Sequence, residues 1–207
     1  MEKKNTTFGE TFSGMPFVYI DDFFSPSEVE EILQELDSIR PKFLDGEKTR
    51  GARAPNGELL KHAKGVFLNQ CFDQPEDSII QGLTRRYFNP DFLKSIQGKA
   101  WFLRYLNKNM SLTDYTQMLY YEDSDTYGSH TDMATVTFLY WVHKKPKKFV
   151  GGDLILEETE KVSLVHNRLL IFPSVMRHEV TPVKMLDKKD GFGRYCISNF
   201  VHVNTDR

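Results

Sequence analysis

From residue 98 onward the chain breaks into short runs rich in β-branched and aromatic residues, and this pattern constrains the fold more than any other feature. The runs cover residues 101–106, 116–121, 135–142, 153–157, 162–165, 168–172, 178–183 and 194–203. Clusters of Gly, Asn, Asp, Lys and Pro separate them, as expected of strands joined by turns. Asn167 fits a tight turn ahead of Leu169, and Gly151-Gly152 fits a turn leading into a strand at Asp153. Eight short strands at this spacing, preceded by helices, predict a double-sheet barrel or jelly roll braced by helices on one face.

The first half supplies those helices. Residues 1–15 are polar and read as a loose arm, followed by a short strand over 17–20. Ser25-Pro26-Ser27-Glu28 is a helix start: Ser caps, Pro occupies the first turn, and Glu three residues on can close a capping box. Val29, Ile32, Leu33 and Leu36 follow at helical spacing and form one apolar stripe. A second helix is expected over 76–88, with Asn89-Pro90 stopping it. Between the helices, residues 41–63 carry Lys48, Arg50, Arg53 and Lys61 among Gly46, Gly51, Pro55 and Gly57. That segment reads as a solvated basic loop, with a lid over a site as the second reading.

A chain of 207 residues fits one domain, 1–207, with the β-rich core over 98–203. The net charge of −2 gives no electrostatic case for nucleic-acid or membrane binding. Cys71 and Cys196 are the two cysteines, far apart and outside any C-x-x-C spacing, which argues against a disulfide framework or a cysteine zinc site. No apolar stretch approaches the roughly 18 residues of a membrane span. The N-terminus lacks the apolar core of a secretory signal, so a cytoplasmic location is expected.

Within the β region, His130-Thr131-Asp132 stands ahead of His178 and Arg194. Residues two apart in a strand share a face, so His130 and Asp132 can aim together into a barrel interior. Such a short motif recurs by chance, and a lone His at a strand end is more often a hydrogen-bonded structural residue. His178 changes the weighing. It opens a strand that a jelly roll can bring beside the first pair, and two imidazoles with one carboxylate can hold one face of a non-haem ferrous ion. Arg194 sits in an otherwise apolar or small run, and a buried arginine needs an anion: either an internal Asp or Glu, or a dicarboxylate ligand. Lys184 is the rival anion binder nearby.

These residues, with Tyr120, the run 134–140, Gly151-Gly152-Asp153-Leu154, Leu170-Ile171-Phe172-Pro173, His178-Glu179-Val180-Thr181-Pro182-Val183 and Arg194-Tyr195-Cys196-Ile197-Ser198, resemble the Fe(II)/2-oxoglutarate-dependent dioxygenases. The resemblance is to their prolyl 4-hydroxylase-like branch, and with the Phe23-Phe24-Ser25-Pro26 segment it covers most of the chain. It implies a mainly β fold with flanking helices (α+β): a double-stranded β-helix, the cupin-like jelly roll, braced by N-terminal helices. It implies His130, Asp132 and His178 as ligands of Fe(II), and Arg194 as the partner of the distal carboxylate of 2-oxoglutarate. Tyr120, Thr137 and Trp141 are carried over as co-substrate-pocket residues, with Tyr120 weighed equally as a core tyrosine. No side-chain nucleophile is implied. Ascorbate is an optional accessory.

The activity implied is 2-oxoglutarate- and O2-dependent hydroxylation, foremost of a prolyl residue in a peptide or protein. A free amino acid or other small molecule is the alternative substrate, and a non-catalytic jelly-roll binding protein the alternative class. Two departures stand out: a charged loop over 184–191, and a turn over 121–125 more acidic than the Gly-rich one usual there, a mark of a different substrate.

Overall fold

The computed structural model describes residues 5–106 and 115–202. Thirteen strands and three α-helices are found there. Strands β1 (Asn5–Glu10) and β2 (Pro16–Asp21) precede helix α1 (Pro26–Ile39), which is followed by β3 (Lys64–Phe67) and by helices α2 (Ile79–Thr84) and α3 (Pro90–Ser95). Then come β4 (Tyr115–Tyr121), β5 (Tyr127–His130), β6 (Val136–Val142), β7 (Phe149–Gly151), β8 (Leu154–Leu156) and β9 (Glu160–Val162). Strands β10 (Arg168–Pro173), β11 (His178–Val180), β12 (Val183–Met185) and β13 (Arg194–Val201) complete the set.

A seven-stranded sheet in the order β1-β2-β10-β6-β13-β4-β3 faces a four-stranded sheet, β5-β11-β8-β9, and β7 pairs with β12. This is the expected mainly β architecture with a jelly-roll core. Alternation divides the large sheet. Val136, Phe138, Tyr140 and Val142 of β6 join a core with the helices, whereas Leu139 and Trp141 join a core with the small sheet. The same split separates Met118 and Tyr120 from Leu119 and Tyr121 on β4, and Ile197 from Cys196 on β13.

Helix α1 forms as its sequence dictates. Glu28 N donates to Ser25 Oγ, Ser25 N donates to Glu28 Oε2, and Pro26 needs no partner for a missing amide. Val29, Ile32, Leu33 and Leu36 all enter the helix-side core, at about 1.5–3 kcal/mol for each buried side chain.

Elsewhere the elements depart from expectation for local reasons. The arm is a strand: residues 5–10 pair antiparallel with β2, Phe8 opposite Val18. An edge strand is held by backbone hydrogen bonds, so polar composition hides it; residues 1–4 lie outside the described set. The helix expected over 76–88 is shortened to α2 because the Glu35 carboxylate accepts from Ile79 N and Ile80 N while Ser78 Oγ accepts from Gln81 N. Asn89, expected to end a helix, instead caps α3 by accepting from Asp91 N and Phe92 N.

The run 101–106 is a 3-10 turn (Trp101–Tyr105), not a strand. The strand expected over 178–183 divides into β11 and β12 at Pro182, which has no amide for a ladder. The last strand ends at Val201, and Val203 lies outside the described residues. Cys196 is a buried free thiol as expected, and Cys71 is partly buried and free. No helix among the described residues is long and apolar enough to cross a membrane.

Candidate metal centre

His130 ends β5 and His178 opens β11, and the two are direct partners across that antiparallel pair. Such partners stand close enough for their side chains to touch, and the two imidazole centroids are 4.2 Å apart. Asp132 joins them from beyond the strand, so alternation is not what aims it. The turn is pinned by Asp132 N donating to Ser174 O (3.0 Å) and by Thr137 Oγ1 donating to Asp132 Oδ2 (2.7 Å). One ligand atom from each of the three residues lies within 4.8 Å of the others.

The donor set suits a divalent transition metal. His130 Nδ1 donates to Gly128 O (2.8 Å) and His178 Nδ1 donates to Met176 O (3.0 Å), which leaves each Nε2 lone pair free. Those Nε2 atoms face the Asp132 carboxylate at 3.7 and 3.5 Å. Burial holds His178 neutral, down to about 4, and burial with the neighbouring His178 ring pushes His130 down too. Burial likewise raises Asp132. Neutral imidazoles anchored through their second nitrogen are the form that binds a metal.

The three residues line one wall of a cavity of about 500 Å³ that also holds Arg194. Arg194 is 1% exposed. Its Nε donates to Gly152 O (2.9 Å), while both terminal nitrogens are buried without a partner. No carboxylate among the described residues pairs with it, so an internal ion pair is not its explanation. The guanidinium lies 4.6 Å from the Tyr121 ring, its cross-strand partner, and 5.6 Å from the Trp141 ring. Gly152 makes this possible: its φ is +73°, and a Cβ there would stand 2.7 Å from Arg194 Cδ. Lys184, the rival, is exposed on β12 and lines no part of the cavity.

Of the three other sequence-predicted pocket residues, Tyr120 lies on the opposite face, and Thr137 and Trp141 stand behind the cavity lining. Tyr120 faces the helices, packs on Tyr195 (4.6 Å) and accepts from Gly193 N through its hydroxyl, because β4 turns that residue outward. Its neighbour Tyr121 lines the cavity instead. Thr137 lies beside the candidate triad rather than in the cavity wall, and its hydroxyl donates to the Asp132 carboxylate. Trp141 is fully buried behind Arg194.

Sequence reasoning also passed over Tyr127, whose ring stacks on His130 at 3.8 Å. The acidic turn engages the charged loop. Met185 N and Lys188 Nζ both engage Asp123, and Ser124 N donates to Val183 O. The 41–63 segment does border the cavity, through Arg50, Gly51 and Ala52.

The 2OG-Fe(II) oxygenase superfamily profile matches residues 116–202, the span that carries the triad and Arg194. A PKHD-type hydroxylase of Shewanella baltica is 24% identical over 187 residues, covering 80% of this chain and 71% of that one. One from Prochlorococcus marinus is 24% identical over 204 residues, covering 87% and 77%. Among solved structures, a Pseudomonas putida prolyl-4-hydroxylase superposes with a TM-score of 0.63 at 14% identity, covering 93% of this chain and 95% of that one; the likeness is one of fold. Fe(II) and 2-oxoglutarate are the cofactor and co-substrate of the matched superfamily. With that profile laid over the triad and the orphaned arginine, the 116–202 span is similar to the 2OG-Fe(II) oxygenase superfamily, and the chain is an oxidoreductase.

Proposed function

We propose that this protein hydroxylates a prolyl residue in a peptide or protein, with His130, Asp132 and His178 holding Fe(II) and Arg194 binding the distal carboxylate of 2-oxoglutarate. The observation that carries the reading is the pair of unpartnered Arg194 nitrogens, buried in the same cavity as the triad. A buried guanidinium left unpaired is costly, and a planar carboxylate satisfies it through two parallel hydrogen bonds. Fe(II) with 2-oxoglutarate and O2 supplies the oxidation, in which oxidative decarboxylation to succinate and CO2 accompanies transfer of one oxygen atom to a C–H bond.

The chain's own residues bind and orient. The triad would hold Fe(II) through two imidazole nitrogens and one carboxylate oxygen, and the ion would supply the oxidative chemistry. Thr137 fixes the Asp132 carboxylate, and the backbone carbonyls of Gly128 and Met176 fix the imidazoles. Leu119, Leu139, Leu154 and Cys196 give the cavity apolar walls that exclude water around the co-substrate.

The prolyl substrate is supported by the hydroxylase names of the relatives and by the cavity's outer rim. Phe67, Tyr115, Met133 and Phe200 line that rim, and Tyr115 and Met133 are exposed. An open apolar mouth suits a pyrrolidine ring presented by a peptide better than a free amino acid, which needs a closed pocket. The test is mass spectrometry of a proline-containing peptide library after incubation with Fe(II), 2-oxoglutarate and O2. A gain of one oxygen on proline is expected, and oxygen gained only by free amino acids would replace the peptide reading.

A further inference from the structure

We infer that Arg50 is a substrate-docking residue of this cavity and that its substrate carries a carboxylate close to the hydroxylated position. The inference rests on the hydroxylase reading above and names the class of substrate.

Of the loop cations Lys48, Arg50, Arg53 and Lys61, only Arg50 lines the cavity. Arg53 is paired with Glu47 at 2.7 Å and donates to Gly57 O. Lys61 is buried and donates to Thr49 O at 2.6 Å. No hydrogen bond or ion pair from the described residues engages the Arg50 side chain.

Its backbone is held in a costly conformation. Arg50 has φ +51°, the left-handed region that glycine adopts freely and a long side chain does not. The segment is tied on both sides of it. Thr49 O accepts from Lys61 Nζ and from Gln117 Nε2 (2.9 Å). Ala52 N donates to Tyr127 Oη (2.9 Å), and Ala52 O accepts from Leu60 N (2.9 Å). Because the Tyr127 ring stacks on His130, Arg50 is fixed relative to the candidate metal ligand rather than hung on a free loop. Strain that the surroundings enforce at a cavity rim marks a functional position.

The chemistry of the wall points to an anion. Among the described residues lining the cavity, Asp132 is the only acid, and it belongs to the triad. Two arginines then remain, Arg194 at the buried end and Arg50 at the exposed rim. The buried one matches the co-substrate, so the outer one is left for the substrate. Together with Phe67, Tyr115 and Phe200, it forms a rim for an apolar ring beside a carboxylate. An acidic residue next to proline in a peptide has that form. A free carboxylic acid of similar size shares the chemistry, and the test separates the two.

Binding is measured anaerobically on the Fe(II)- and 2-oxoglutarate-loaded protein, by calorimetry. The probes are peptides with Asp or Asn, and Glu or Gln, flanking proline, with N-acetylproline and its amide as the free-acid arm. Acidic peptides are expected to bind about ten-fold or more tightly than their amides. That preference should fall below about two-fold in Arg50→Gln and Arg50→Gly. Arg50→Gly should also melt at the same or a higher temperature, since glycine relieves the strain, and should keep its iron and its 2-oxoglutarate affinity.

Equal binding of acid and amide, no binding of any probe, or a preference that survives in both variants would overturn the inference. Preference confined to N-acetylproline would overturn the peptide arm. Admitting O2 separates this from the parent reading. Acid-selective, Arg50-dependent binding with no oxygen gained on proline sustains the docking site and defeats prolyl hydroxylation. Oxygen gained equally on acidic and neutral peptides does the reverse.

Discussion

The two faces of the large sheet are built from alternate residues of the same strands, yet they carry different chemistry. On the helix side Phe138, Tyr140, Tyr120, Tyr195 and Ile197 make an apolar, aromatic core. On the other side the intervening positions hold Thr137 against Asp132, Trp141 and Tyr121 against Arg194, and Ser198 and Gln117 in the cavity wall. One face holds the fold and the other holds the site. A shift of one residue exchanges the roles, as Tyr120 and Tyr121 demonstrate.

That division can be broken by substitution, beginning with the largest effect. Phe138→Ala removes a fully buried ring between Tyr87 and Phe88. It should cost about 3–5 kcal/mol in chemical denaturation while leaving the 2-oxoglutarate affinity of the folded fraction unchanged. A large change in that affinity would show the faces to be coupled.

Acid should find the site face next. His178 is depressed from 6.5 to about 4 in the metal-free protein because burial favours its neutral form. The unfolded chain therefore takes up a proton first as pH falls. Stability from neutral His178 is fully present above about 6.5 and is lost as pH falls toward 4, on the order of 3 kcal/mol. Melting of metal-free His178→Asn against pH should be flatter than wild type across that interval. A parallel profile would assign the acid sensitivity elsewhere.

Thr137→Val keeps shape and removes the hydroxyl that donates to Asp132. Loss of such an outer partner lowers metal affinity by about 10–100-fold, and the far-ultraviolet spectrum should not change. The smallest contrast is between the adjacent tyrosines. Tyr121→Leu removes the ring against Arg194, a contact of about 0.5–2 kcal/mol, and should raise the 2-oxoglutarate KM several-fold. Tyr120→Phe removes a hydrogen bond to Gly193 N and should change stability by about 1 kcal/mol with the KM unmoved.

The same contrast separates what was legible in the sequence from what was not. His130, Asp132, His178 and Arg194, which the structure brings to one cavity, could be singled out because metal and anion binding demand particular residue types. For Tyr120 the sequence left open which face of β4 it occupies, and for Thr137 and Trp141, which share the Leu139 face, how near the cavity they lie. Alternation places Thr137, Leu139 and Trp141 on one face but does not say how deep each lies, and only pairing with β13 and β10 settles it.

The strand expected at 101–106 was misread for a related reason. Phe102, Leu103 and Leu106 are buried while Trp101 is half-exposed, a helical rather than alternating pattern within an aromatic-rich run. Strands β1, β3 and β5 are polar, short or glycine-containing, so nothing in their composition announces the backbone pairing that holds them. Arg50 was visible as a charge in a loop; its strained backbone and its position on the cavity rim were not.

The central claim is that the triad and Arg194 form one site for one dicarboxylate. It is tested most directly by anaerobic titration of the Fe(II)-loaded protein with 2-oxoglutarate and with 2-oxobutyrate, which lacks the distal carboxylate. Wild type should prefer 2-oxoglutarate by about 100-fold or more, as a buried charge pair requires. Arg194→Leu should bind both ligands with the same weak affinity. If Arg194→Leu keeps the wild-type preference, Arg194 is not the partner of the distal carboxylate and the account fails.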